Sequence, residues 1–200
     1  GAIRAALTDA GLSFDRIQQA YAGYVFGDST CGQRSVYDVG MTGIPVFNVN
    51  NNCSTGSSAI MLGAQAIKSG MVDCVLAVGF EQMQKGALAS AWDDRTNPMD
   101  RHVQVMNDVQ GFGQAPATAQ FFGGAAREHQ WRYGTKRETF AKISSKSRKH
   151  AANNPYALFK EPLTVEQVMA SEEVFDPLTR YQCCPPTCGA AAAILVSDDF

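Results

Sequence analysis

Between Asp38 and Lys68 no residue carries a charge, which narrows the folds open to this chain. So long an uncharged stretch suggests a membrane span. Pro45 and the polar run Asn50 to Ser58 argue against one, because amide side chains without partners are costly in lipid. The stretch therefore belongs to the interior of a large soluble fold. Within it, Pro45 introduces a short strand at Val46 to Val49. A helix follows over Ser54 to Ser69, with Gly70 just past its end and Lys68 in its last turn. Ala59, Ile60, Met61 and Leu62 cover most of the helix circumference, so the helix is expected to be buried all round. Cys74 to Phe80 is a continuous apolar run, as in a strand covered on both faces. Strand, helix and strand together make a βαβ unit, and the fold class is α/β.

Upstream, a helix is expected to about Ala10, closed by Gly11, with Ser13 as a cap before Phe14 to Gln18. Ala20 to Phe26 follows as a strand, then a Gly-containing loop and a helix over Arg34 to Val39. The first residues, Gly1 to Leu7, resemble the middle of an amphipathic helix, and the chain looks like a piece of a longer protein. After Met83 the character changes: residues 84 to 180 hold most of the charge and both tryptophans, Trp92 and Trp131. Helices are expected at Pro116 to His129, Lys136 to Ala152 and Glu166 to Ala170. An apolar strand returns at Ala190 to Ser197, so an insertion separates neighbouring sheet strands. This gives a core over 1–84, a helical insertion over 85–180 and a returning core strand over 181–200.

The formal charge of −2 provides no global attraction to nucleic acid or an anionic membrane. Six cysteines, Cys31, Cys53, Cys74, Cys183, Cys184 and Cys188, are too irregularly spaced for a disulfide scaffold, and a reducing compartment is the better fit. The Cys183–Cys184–Cys188 group lacks the second pair that a zinc site needs, so no metal is expected. Cys53 stands out because it falls at a helix start, where unpaired N–H groups and the helix dipole stabilise a thiolate. The same N–H groups can bind an oxyanion. Gly56 and the small Ser54, Ser57 and Ser58 let a thioester approach closely. The alternative is a buried, inert thiol, which is the better account of Cys74 in its apolar strand and of Cys31 in a loop without a base.

Several segments carry a family resemblance: Tyr24 to Arg34, Asn48 to Ser57 around Cys53, Val78-Gly79-Phe80-Glu81, Glu128-His129, Tyr133 to Lys136, Phe140 to Ile143, Asn153 to Tyr156 and Gln182 to Pro185. In these the chain resembles the thiolase superfamily, in particular 3-ketoacyl-CoA thiolases of the sterol carrier protein x type. The resemblance implies the N-terminal half of a layered αβα fold, its first strand missing, with a helical loop-domain insertion that shapes the acyl-CoA pocket. It implies Cys53 as the nucleophile that attacks a 3-ketoacyl-CoA and carries the shortened acyl group until coenzyme A removes it. Coenzyme A is then a substrate and no cofactor is held permanently. It also implies a homodimer, with the strand before Cys53 at its interface. A peroxisomal setting follows from the resemblance alone, with cytoplasm or mitochondria as alternatives.

The family also uses a His in Gly-His-Pro, a second Cys and, in this branch, His-Asp-Cys-Phe. None of these is present, and His102, His129 and His150 stand in other contexts. Isolated, these residues are expected to be catalytically dead. The family usually has Asp before its Gly-Ala-Ala-Ala strand, where this chain has Cys188, which bears on loop geometry rather than on the chemistry at Cys53. Lys142, Lys146, Arg148, Lys149 and Arg137 either meet the phosphates of CoA or form a solvated helix face. Glu81 is either an active-site carboxylate or a structural acceptor at a strand end, and the Asn50 to Asn52 amides serve the turn before the helix. A ketoacyl-synthase-type condensing enzyme and a non-catalytic lipid- or CoA-binding protein are the rival functions.

Overall fold

The computed structural model describes residues 1–84, 90 and 92–200. In chain order its elements are α1 (Ala2–Ala10), β1 (Gln19–Gly23), α2 (Cys31–Tyr37), β2 (Val46–Val49), α3 (Thr55–Lys68), β3 (Cys74–Glu81), α4 (Asp100–Gln110), α5 (Ala117–Tyr133), α6 (Arg137–Ala151), α7 (Val165–Met169), β4 (Glu173–Phe175), β5 (Leu178–Thr179) and β6 (Gly189–Val196). Short 3-10 turns occupy Phe14–Arg16, Asn52–Ser54 and Arg180–Gln182. The chain divides into two compact units, one of Gly1–Ala89 with Pro186–Phe200 and one of Ser90–Pro185. The expected start of the insertion, at residue 85, lies outside the described residues.

The first unit is built on a four-stranded sheet of order β2-β1-β3-β6. β1 runs parallel to both β2 and β3, with Ala20 opposite Val46 on one side and Leu76 on the other. β6 closes the sheet antiparallel to β3, pairing Cys74 with Val196 and Glu81 with Gly189. The returning strand is thus a direct neighbour of β3. Side chains alternate across the sheet. Ala20, Ala22, Cys74, Leu76 and Val78 point to one face, where Ile3 and Leu7 of α1 and Val36 of α2 complete a buried cluster. The opposite face receives α3, whose Gly63 lies so close to Val75 that an added Cβ would stand 2.9 Å from its Cγ1. Helices on both faces of a mostly parallel sheet make this a layered αβα fold.

Several local expectations change: α2 begins at Cys31 and ends at Tyr37 rather than running from Arg34 to Val39, so Cys31 opens a helix instead of lying in a loop. α3 is not buried all round: Thr55, Ala59, Gly63 and Ala66 form its buried stripe, whereas Ile60 and Met61 are 47% and 55% exposed. The small residues lie three and four apart and let the helix settle onto the sheet, which turns the large apolar side chains outward. β1 ends at Gly23 rather than Phe26. Tyr24 still donates its N–H to Val49 O at 3.3 Å, but the N–H groups of Val25 and Phe26 donate to the Glu81 carboxylate at 3.0 and 3.3 Å. The strand leaves the sheet because a side chain, not a neighbouring backbone, takes its amides.

In the second unit α6 packs against α7, and β4 pairs antiparallel with β5. Gln120 of α5 is fully buried and holds the segment before its own helix. Its Oε1 accepts from Gly113 N at 2.9 Å, and its Nε2 donates to Gly113 O at 3.0 Å and to Ala115 O at 2.5 Å. Thr164 and Gln167 form a reciprocal capping box at the start of α7. No helix among the described residues is long and apolar enough to cross a membrane.

Candidate active site

The parallel strands β1 and β2 end in loops that lead into helices, and each loop delivers a cysteine to a helix start. Ligands of open α/β sheets gather at this carboxyl end of the strands. Thr30 and Asn52 are the non-glycine residues with positive φ among the described ones, at 68° and 46°. One precedes Cys31 at the first residue of α2, the other precedes Cys53 in the 3-10 turn before α3. Asn tolerates the left-handed region far better than a β-branched residue does. The two thiols differ in access: Cys31 is half-buried and Cys53 exposed.

Cys53 stands one turn ahead of α3 rather than inside its first turn. Hydrogen bonds from neighbouring side chains define that turn. Asn50 Oδ1 accepts from Asn52 N at 3.2 Å, Asn51 Nδ2 donates to Ser58 Oγ at 2.9 Å, and Ser54 Oγ donates to Asn51 O at 2.9 Å. The amides of Asn50 and Asn51 thus serve the turn, as their sequence pattern suggests. Ser54, at the N-cap of α3, makes no side-chain capping bond, so the helix start is not closed by its own cap. A helix start of this kind offers N–H groups and partial positive charge to an anion beside Cys53.

A polar chain ties the neighbouring loops together. Asn48 Oδ1 accepts from Gly32 N at 3.1 Å, Asn48 Nδ2 donates to Gln33 Oε1 at 2.8 Å, and Gln33 Nε2 donates to Val46 O at 3.1 Å. A Cβ on Gly32 would overlap Asn48 Oδ1 and stand 2.7 Å from Ala22 Cβ, so a side chain there would force the polar chain or β1 to shift. Sequence reasoning missed Asn48, Gln33 and Thr55. Asn48 carries the one legible signal, an amide within an otherwise apolar strand. Glu81, weighed as an active-site carboxylate, is occupied by Val25 and Phe26 and acts as a strand-end acceptor.

The remaining cysteines divide by environment. Cys74 is fully buried, and burial pushes its thiol above the ordinary range despite Arg16 nearby. Cys183 is pushed up by burial and by its neighbour Cys184. Cys188 lies at the surface, its thiol donating to Met83 O at 3.6 Å, so it links the end of β3 to the start of β6. Among the described residues no group of His, Cys, Asp and Glu is gathered as a metal site. On α6, Arg137 pairs with Glu173 at 3.1 Å and Asp176 at 3.8 Å. Arg148 lies over the rings of Phe159 and Tyr181, while Lys142, Lys146 and Lys149 are exposed. His102, His129 and His150 all belong to the second unit, where His129 Nδ1 shares a 2.9 Å hydrogen bond with Thr135 Oγ1.

The family model for the thiolase N-terminal domain matches residues 1–199. The chain belongs to the thiolase family. Among thiolase-family relatives, sterol carrier protein 2 of Gallus gallus is 54% identical over 196 residues, which cover 98% of this chain and 36% of that protein. The benzoylsuccinyl-CoA thiolase subunit BbsB of Thauera aromatica is 33% identical over 190 residues, covering 92% of this chain and 46% of that protein. The chain therefore spans between a third and a half of the length of these relatives. A solved structure described as the Ltp2-ChsH2(DUF35) aldolase has the same thiolase fold, with a TM-score of 0.74 at 23% identity over 99% of this chain and 49% of that one.

Proposed function

We propose that a full-length protein carrying this chain is a 3-ketoacyl-CoA thiolase of lipid β-oxidation and that Cys53 is its nucleophile. One observation supports this above the others: in a chain of the thiolase family, the cysteine at the carboxyl end of β2 is exposed on a side-chain-braced turn. In the proposed reaction Cys53 Sγ, having lost its proton to a base, attacks C3 of a 3-ketoacyl-CoA. The C2–C3 bond breaks, and its electron pair leaves as the enolate of acetyl-CoA, or of propionyl-CoA from a 2-methyl substrate, which is then protonated. The shortened acyl group remains as a thioester on Cys53. The thiol of free coenzyme A then attacks that thioester, and Cys53 departs as a thiolate. Two easier steps replace one hard step, and N–H groups at the start of α3 would steady the oxyanion of each.

The homodimer, the peroxisomal setting and an acyl-CoA-binding role for the helical unit belong to the same proposal and rest on the family resemblance. The test is incubation of the full-length protein with a 3-ketoacyl-CoA in the absence of free coenzyme A, followed by peptide mass spectrometry. An acyl adduct on Cys53 is expected. Cys53→Ser should form none and lose more than about 10³-fold of thiolysis, as deletion of a nucleophile does. Substrate binding without an adduct would favour a non-catalytic lipid- or CoA-binding protein, the reading suggested by the name sterol carrier protein 2.

A further inference from the structure

The Cys53 thiol is exposed, so its aim depends on the backbone that carries it. That backbone passes through Asn52 at φ 46°, a conformation that needs holding. The groups that hold it converge on Thr55, which is only 6% exposed. Thr55 Oγ1 accepts from Asn51 N at 2.8 Å and donates to Asn52 O at 2.6 Å. The Thr55 amide donates to the same carbonyl. One hydroxyl thus bridges the N–H of the residue before the left-handed one and the carbonyl of the left-handed residue itself. The methyl of Thr55 is seated as firmly: a Cβ on Gly23, the last residue of β1, would stand 2.7 Å from Thr55 Cγ2. With the methyl against β1, a β-branched side chain has little freedom at χ1, and the hydroxyl is directed at the turn.

We propose that Thr55 is a positioning residue for Cys53, its hydroxyl locking the Asn52 turn that aims the thiol and its methyl, seated against Gly23, orienting the hydroxyl. The proposal rests on the reading of Cys53 as the nucleophile. Thr55→Val in the full-length protein keeps the shape and removes the hydroxyl, whereas Thr55→Ser keeps the hydroxyl and removes the methyl. The expected result is a fall in kcat of about 10- to 100-fold for Thr55→Val with KM nearly unchanged, the scale set by a small misplacement of a reacting group. Thr55→Ser should stay within about threefold of the parent, a slight loss of aim on that same scale. Should Thr55→Val fold poorly, Thr55→Ser and Thr55→Ala differ by the hydroxyl alone, and the same gap in kcat is expected between them.

A second readout does not depend on thiolysis. Alkylation of Cys53 by iodoacetamide in the folded protein should slow in Thr55→Val relative to Cys184, which serves as internal reference. Unchanged kcat and alkylation in Thr55→Val would overturn the proposal. So would equal losses in the Val and Ser variants that follow the folded fraction. If the parent forms no acyl adduct, the nucleophile reading fails, and the alkylation ratio still decides whether Thr55 positions Cys53.

Discussion

Cys53 and Cys74 share one unit and differ in nearly everything that governs a thiol. Cys53 is exposed on its turn; Cys74 is fully buried at the start of β3 and paired with Val196 of β6. Thiolate character and access control alkylation, so brief iodoacetamide treatment of the folded chain should label Cys53, Cys184 and Cys188 and spare Cys74. Peptide mapping before and after denaturation checks this, and early labelling of Cys74 would contradict its burial. The raised pKa of Cys74 also has a sign. Burial favours its protonated form in the fold, so its stabilising contribution is complete below the ordinary thiol value of the unfolded chain and is lost as pH rises through the higher folded value. Cys74→Ala should therefore show a shallower alkaline loss of stability than the parent, measured by urea unfolding across that range.

At the scale of elements, one residue in each of two helices makes a close contact that a substitution can test. Gly63 of α3 meets Val75 with no room for a side chain, so Gly63→Leu should cost about 1–3 kcal/mol by overpacking. Met61→Gln on the exposed face should stay within about 0.5 kcal/mol, both measured by urea unfolding of the 200-residue chain. In the second unit Gln120→Leu removes three side-chain hydrogen bonds from a fully buried amide, which should cost about 1–3 kcal/mol. Local pattern made much of this legible: the Gly11 stop of α1, the exact span of β2 and the apolar run of β3 follow from residues next to one another in sequence. What was not legible depended on distant partners. The early end of β1 is set by Glu81, more than fifty residues away. The one-sided burial of α3 depends on which of its apolar residues are small enough to meet the sheet. α4 was not among the expected helices, although Val103, Val105, Met106 and Val109 share one face of it; of these only Met106 is buried. β4 and β5 are too short to show a strand period. At the site, the cysteine motif marked Cys53, but Thr55 could be recognised only once its hydroxyl and methyl partners were seen in space.

For the molecule as a whole, proton transfer sets the limit on what these 200 residues do alone. A cysteine nucleophile of the proposed kind needs a base to take its proton and an acid to protonate the departing enolate. The unit that holds Cys53 contains no histidine, since His102, His129 and His150 all fall within Ser90–Pro185. Glu81, its candidate carboxylate, is held by two backbone amides. The family resemblance assigns proton transfer to a histidine and a second cysteine in motifs that this chain does not contain. The 200-residue chain should therefore keep a reactive, alkylatable Cys53 and yet release no shortened acyl-CoA when supplied with a 3-ketoacyl-CoA and free coenzyme A. Liquid chromatography with mass spectrometry of the acyl-CoA products checks this, with Cys53 labelling in the same sample as the control for folding. Sustained thiolysis by the isolated chain would show that a base within these residues suffices, and the division of labour inferred from the family would have to be abandoned.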